Sequence, residues 1–91
     1  MSTIRLPRVA VSRDLANRLT KDIVYSEQEP IVLDGRGLVV NNDGFAQQIA
    51  ADLKSLNIDG VQVLGGSPQW QQAIREAGRE HDLLIKVLKV A

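Results

Sequence analysis

Residues 30–56 read PIVLDGRGLVVNNDGFAQQIAADLKSL, and this stretch decides the fold. Ile31, Val32 and Leu33 follow one another without a polar residue, the pattern of a strand covered on both faces and therefore central in a sheet. Asp34 ends the run, and Gly35 and Gly37 break it. Further on the period changes. Phe45, Ile49, Leu53 and Leu56 recur every three or four residues, and Ala46 and Ala50 widen the stripe. That spacing predicts a helix over 44–56. The loop 35–42 between strand and helix opens onto a helix N-terminus, where binding sites of open α/β sheets sit.

Toward the N-terminus, Ile4 and Leu6 alternate with Arg5, which predicts a half-exposed strand over 3–6 that Pro7 closes. Residues 8–11 extend it after a bend or form a second short strand, with Val9 and Val11 expected to face inward. Ser12 is a natural cap for a helix over 13–25, whose stripe is Leu15, Ala16, Leu19 and Ile23. Residues 26–29 form a polar linker, and Pro30 opens the apolar strand.

Toward the C-terminus, 61–64 is the next strand. Gly65 and Gly66 follow, then Ser67 in a cap position and Pro68 at the first helical position, a helix-start signal with a mechanism. Trp70, Ala73, Ile74 and Ala77 make the buried stripe of that helix. The last strand is expected over 83–90, with Lys86 and Lys89 on opposite faces, as suits an edge. The order β-α-β-α-β-α-β, with crossovers of these lengths, predicts one α/β domain over 1–91: a four-stranded, mainly parallel sheet packed by three helices.

The 11 basic and 11 acidic residues cancel and form no stripe, and one Phe, one Tyr and one Trp make no stacking platform. A nucleic-acid partner is therefore not expected. With no cysteine there is neither a disulfide framework nor a thiolate metal site. The first residues contain no apolar signal region, and no apolar run approaches the roughly 20 residues that span a bilayer. A cytoplasmic protein without direct membrane insertion is expected.

Two loops carry the candidate sites. In Asn41-Asn42-Asp43-Gly44 any of the three polar side chains can accept from the free amides of the following helix. Asp43 also adds charge where the helix dipole favours it. The bland reading is a cap. The functional one is a recognition surface, favoured by a connection longer than a minimal turn. In Gly65-Gly66-Ser67-Pro68 the bland reading is a tight strand-to-helix turn, the functional one a backbone cradle for a phosphate. No Lys-Ser or Lys-Thr pair makes it a Walker loop. Asp34 and Asp43 with a lysine suggest a magnesium-dependent phosphoacceptor pocket, but such a site needs more converging carboxylates, so no metal is expected. His81, the single histidine, has no catalytic partner at a recognisable spacing and reads as a helix-terminal surface residue. Neither a catalytic residue nor a cofactor is expected, and an enzyme is the last reading.

The runs VSRDLANRLTKDI (11–23) and PIVLDGRGLVVNNDGFAQQIAADL (30–53) resemble STAS-like domains, the group that includes anti-sigma-factor antagonists. The bacterial STAS-like domain of unknown function is the nearest subgroup. It shares Ser12-Arg13 on a Leu/Ala-rich first helix, an apolar strand ending in Asp34, and the helix start Gly44-Phe45-Ala46. The tail VQVLGGSPQWQQAIREAGREHDLLIKV (61–87) looks like the final strand-helix-strand portion of ordinary STAS domains. Antagonist-type members carry a phosphorylatable hydroxyl before the second helix. The matching positions here are Asn41, Asn42, Asp43 and Gly44, with no hydroxyl. The resemblance then puts Asp43 at the acceptor position, with a charge of about −1 in place of the −1.5 to −2 of a phosphoryl group.

What the resemblance implies is a small bacterial regulatory module that docks a signalling protein, a GHKL-type ATPase or anti-sigma factor, without phospho-switching. The expected partner-binding residues are Asn41, Asn42, Asp43 and Gly44 with Gln47, Gln48 and Ala51 on the exposed face of the second helix, beside Asp52 and Lys54. One alternative is an accessory STAS subunit of a membrane transporter ATPase. Another is a nucleotide- or phosphate-ligand domain using Asp34, Gly65, Gly66 and Ser67.

Overall fold

The apolar run leads into the middle of the molecule: Ile31, Val32, Leu33 and Asp34 are all buried, and their strand is hydrogen-bonded on both sides. The computed structural model describes residues 2–21 and 31–88. In chain order the elements are β1 (Ser2–Arg5), β2 (Val9–Ala10), α1 (Arg13–Lys21), β3 (Ile31–Asp34), β4 (Val40–Asn41), α2 (Asp43–Ser55), β5 (Gly60–Leu64), α3 (Pro68–Glu80) and β6 (Leu84–Leu88). Ile23, the 26–29 linker, Pro30 and Lys89 lie outside the described residues.

The chain is a small α/β domain. Its main sheet has the order β1-β3-β5-β6, and every pairing in it is parallel. Ile4 and Leu6, Ile31 and Leu33, and Val61 and Val63 join the core, with Ile85 and Val87 packed against it. The alternate positions Thr3, Arg5, Gln62 and Lys86 belong to the other face, as the two-residue side-chain period requires. Each crossover moves one strand along in the same direction, so right-handed connections set all three helices on one face. There α2 lies between α1 and α3, and its Phe45, Ala46, Ile49, Ala50 and Leu53 are buried. Among the described residues no helix is long and apolar enough to cross a membrane.

Of the two readings open for residues 8–11, the structure takes the second short strand: Val9–Ala10 pairs in parallel with Val40–Asn41, forming a separate two-stranded ribbon. Two features depart from the expected pattern. Val9 and Val11, expected inward, point out, and Ala10 is the buried residue. Pro7 breaks the frame, and the new strand takes its partner from the loop 35–42, not from the main sheet. The second departure is the ribbon itself, since that loop contains β4 and is not wholly irregular.

At the other end of the sheet, Gly78 lets α3 lie directly on β6. A Cβ there would stand 2.6 Å from the Leu83 carbonyl oxygen and 2.5 Å from Ile85 Cγ1. Trp70, in the first turn of α3, is fully buried and packs on Phe45 with ring centroids 5.8 Å apart.

Candidate functional site

The ribbon delivers the chain to the start of α2, and Asn42 holds that junction. Its Oδ1 accepts from the Phe45 N–H at 2.9 Å, which makes it the N-cap. Its Nδ2 donates to the Val11 carbonyl at 2.9 Å, which ties α2 to the chain two residues before α1. One amide therefore serves as acceptor and donor from two separate atoms, a pairing an ionised carboxylate, which only accepts, does not reproduce. Asn41 is half-buried within β4. Asp43, the first residue of α2, is exposed. Its carboxylate sits where the unpaired amides of the first turn favour negative charge.

Gly44 lies under the side chain of Arg13. A Cβ on it would meet the guanidinium at 3.7 Å. Arg13 Nη1 also donates to Gln48 Oε1 at 3.4 Å, so the first residue of α1 is bridged to the second turn of α2. Gln48 Nε2 donates in turn to Asp52 Oδ1 at 2.9 Å. The Thr20 hydroxyl, buried on α1, stays on its own helix, donating to the Ala16 carbonyl at 3.1 Å, and lies 3.4 Å from Asp52 Oδ2. On the other flank Gln47 Oε1 is 2.9 Å from His81 Nε2, so that ring nitrogen is the donor. Lys54 reaches the Asp59 carboxylate at 2.9 Å and the Asp82 carbonyl at 3.1 Å.

These contacts correct one expectation. Gln47, Gln48 and Ala51 do not form an exposed face of α2; all three are half-buried, with Gln48 turned to Arg13 of α1 and Gln47 to His81 at the end of α3. The helix is central in its layer, so its flanks are covered. Of the seven residues expected to meet a partner, only Asn42 and Asp43 are exposed.

What the sequence pattern missed is apolar. Val9 is 55%, Val11 46%, Val39 65% and Val40 46% exposed. All four lie in or beside the ribbon, held together by the Val39 and Val40 amides donating to the Arg8 carbonyl at 2.8 and 2.9 Å. Four aliphatic side chains are thus exposed in or beside the ribbon, and the exposed Asp43 follows it at the start of α2. The signal that could have located them is the aliphatic run Leu38-Val39-Val40 inside a stretch otherwise made of glycine and polar residues. Only Leu38 of that run is buried.

Asp34, at the end of β3, is engaged internally. Asp34 Oδ1 accepts from Arg36 Nε at 3.0 Å and from the Arg36 amide at 3.1 Å, and Oδ2 from Nη2 at 2.9 Å. The Arg36 side chain holds the Asp34 carboxyl down to about 2 from an ordinary 3.8; partial burial opposes this, while the Arg36 amide and the charges of Arg36 and Arg5 assist. The same pairing raises Arg36 above its usual value. Asp34 thus acts as a turn clamp.

Gly65 and Gly66 take φ of +69° and +92°, the left-handed region that favours glycine. A Cβ on Gly65 would strike Arg36 Cγ, and one on Gly66 would strike Trp70 Cδ1. The Ser67 hydroxyl accepts from the Trp70 amide at 3.2 Å, capping α3. Glycine there is required by the close approach of Arg36 and Trp70.

Among the described residues, no group of three or more His, Cys, Asp or Glu side chains could hold a metal ion. A hollow of about 230 Å³ lies beside Gly60, Gln62, Leu84 and Lys86, and one of about 360 Å³ runs from Pro68, at the end of the second loop, along Gln71, Gln72, Arg75 and Arg79. Comparison with family models, with curated proteins and with solved structures found nothing that matches this chain.

Proposed function

We propose that this domain is a small regulatory protein–protein interaction module, non-enzymatic and cytoplasmic, that docks a partner through the loop 35–45 and the first turn of α2. The observation that carries the reading is the exposed ribbon of Val9, Val11, Val39 and Val40 beside the exposed Asp43. A rigid edge of this kind, held by backbone pairing and by the Asn42 clamp, presents an apolar centre with a polar rim, the anatomy of a docking patch. The STAS-like resemblance points to the same segment and to a partner such as a GHKL-type ATPase or anti-sigma factor. No hydroxyl stands at 41–44, so Asp43 supplies a permanent charge and the contact is not governed by a kinase.

The test is affinity capture from lysate with three folded baits: wild type, Asp43→Lys and Val39→Ser/Val40→Ser. A partner identified by mass spectrometry that binds wild type and is lost on both variants supports the reading. Equal capture by all three removes the ribbon and Asp43 from the interface.

A further inference from the structure

We infer that a second copy of this chain seats on the valine ribbon, with the two-fold axis running along the ribbon between β2 and β4. The inference rests on the docking reading above and concerns the regulation of that patch: a ribbon covered by its own copy is closed to the signalling protein.

The two strands are parallel, in the register Val9 with Val40 and Ala10 with Asn41. Residues opposite each other in a ladder share a face. Val9 and Val40 are both exposed, whereas Ala10 is buried. Val11, two residues on from Val9, is exposed as well, and its carbonyl receives the Asn42 amide. Each strand then runs into a helix. The chain from β2 reaches Arg13, the first residue of α1, and the chain from β4 reaches Asp43, the first residue of α2. Both are exposed. Arg13 Nε lies 3.7 Å from where a Cβ on Gly44 would stand, so cation and carboxylate occupy the same end of the ribbon. Among the described residues no ion pair joins these two to each other.

One side of the ribbon therefore leads to a cation and the other to an anion. Half a turn about an axis parallel to the strands exchanges the two sides and keeps the ends together. The β2 strand of one copy then faces β4 of the other, Val9 meets Val40, and Arg13 of each copy meets Asp43 of the other. An isologous contact needs a patch complementary to itself, and this patch is so in both apolar surface and charge. Burial of the valines drives the association, and the two charge pairs at the rim fix its arrangement.

The experiment is sedimentation equilibrium of the wild-type chain, of Arg13→Asp, of Asp43→Arg, and of an equimolar mixture of these two variants, with circular dichroism confirming that each is folded. The wild type is expected to show a concentration-dependent equilibrium between monomer and dimer. Either variant alone turns both rim pairs into like-charge contacts, so its association should weaken about ten-fold or more. In the mixture one copy brings two cations and the other two carboxylates, and a heterodimer of wild-type strength should return. Mixing cures no folding defect. A second measurement alters no charge. The chain has no cysteine, so Val9→Cys and Val40→Cys chains mixed under mild oxidation should form more disulfide-linked dimer than either chain alone. A wild type that stays monomeric, a dimer indifferent to both charge variants, a mixture that associates no better than its parts, or cross-linking no richer in the mixed cysteine chains overturns this inference. Each leaves the docking reading standing, since capture of a partner by the three baits decides that reading separately.

Discussion

Asp34 shows how one side chain can look like a ligand and serve as a fastener. Its carboxylate, lowered to about 2 by Arg36, is charged in the folded chain at pH values where the unfolded chain is already protonated. The unfolded state therefore binds more protons between about pH 4 and pH 2. The stabilisation is present above about pH 4 and is lost as pH falls through about 2. A shift of this size corresponds to about 2 kcal/mol at most. Because the Arg36 side chain is 59% exposed, solvent screening reduces that to roughly 1 kcal/mol. Urea midpoints measured from pH 6 to pH 2 should show this loss in wild type and a flatter profile in Asp34→Asn.

Gly78 poses the opposite balance. Alanine is worth about 1 kcal/mol more than glycine inside a helix. Overpacking costs about 1–3 kcal/mol, and here one of the two atoms in the way is a backbone oxygen that cannot turn aside. Gly78→Ala should be destabilising by about 1 kcal/mol or more in chemical denaturation, against the propensity trend.

At the scale of elements, the decisive joint is the end of the ribbon. Asn42→Ala removes a cap hydrogen bond and leaves the Val11 carbonyl without its donor. A loss of about 1–2 kcal/mol is expected. Asn42→Asp keeps an acceptor for Phe45 and turns a carboxylate oxygen toward the Val11 carbonyl. It should therefore fall below wild type, although Asn and Asp are near-equal caps on average. Thermal unfolding of the two variants separates the cap from the clamp. Ser67 carries only a cap contact, so Ser67→Ala should cost about 1 kcal/mol and show no such asymmetry. The three-helix layer explains why α2 offers so little free surface. A central helix spends its polar flanks on its neighbours, here Gln48 with Arg13 and Gln47 with His81.

At the scale of the molecule, a chain of 91 residues has roughly 5–14 kcal/mol of stability in total. Trp70 is buried against Phe45 and closes over Gly35 and Gly66, so Trp70→Ala should remove about 3–5 kcal/mol. That is a large share of the whole, and the variant should be partly unfolded at 37 °C by circular dichroism. Trp70 is also the single tryptophan. Its fluorescence and the far-ultraviolet signal should trace one transition if core and helices melt together.

The local pattern of residues was sufficient for the α/β class, the central place of Ile31–Leu33, the caps Ser12 and Ser67 and the buried stripes of α3 and of α2 as far as Leu53, because each depends on neighbours within a turn or a strand; Leu56, expected in the α2 stripe, is the exposed C-cap. Tertiary structure alone decided the rest. The β2–β4 ribbon pairs Val9 with Val40 and Ala10 with Asn41, far apart in the chain, and the partial burial of Gln47 and Gln48 follows from contacts with His81 and Arg13. The outward turn of Val9, Val39 and Val40 belongs to this second group. Periodicity reports which side chains share a face, whereas which face is left uncovered depends on the elements packed against it, and those come from distant parts of the chain.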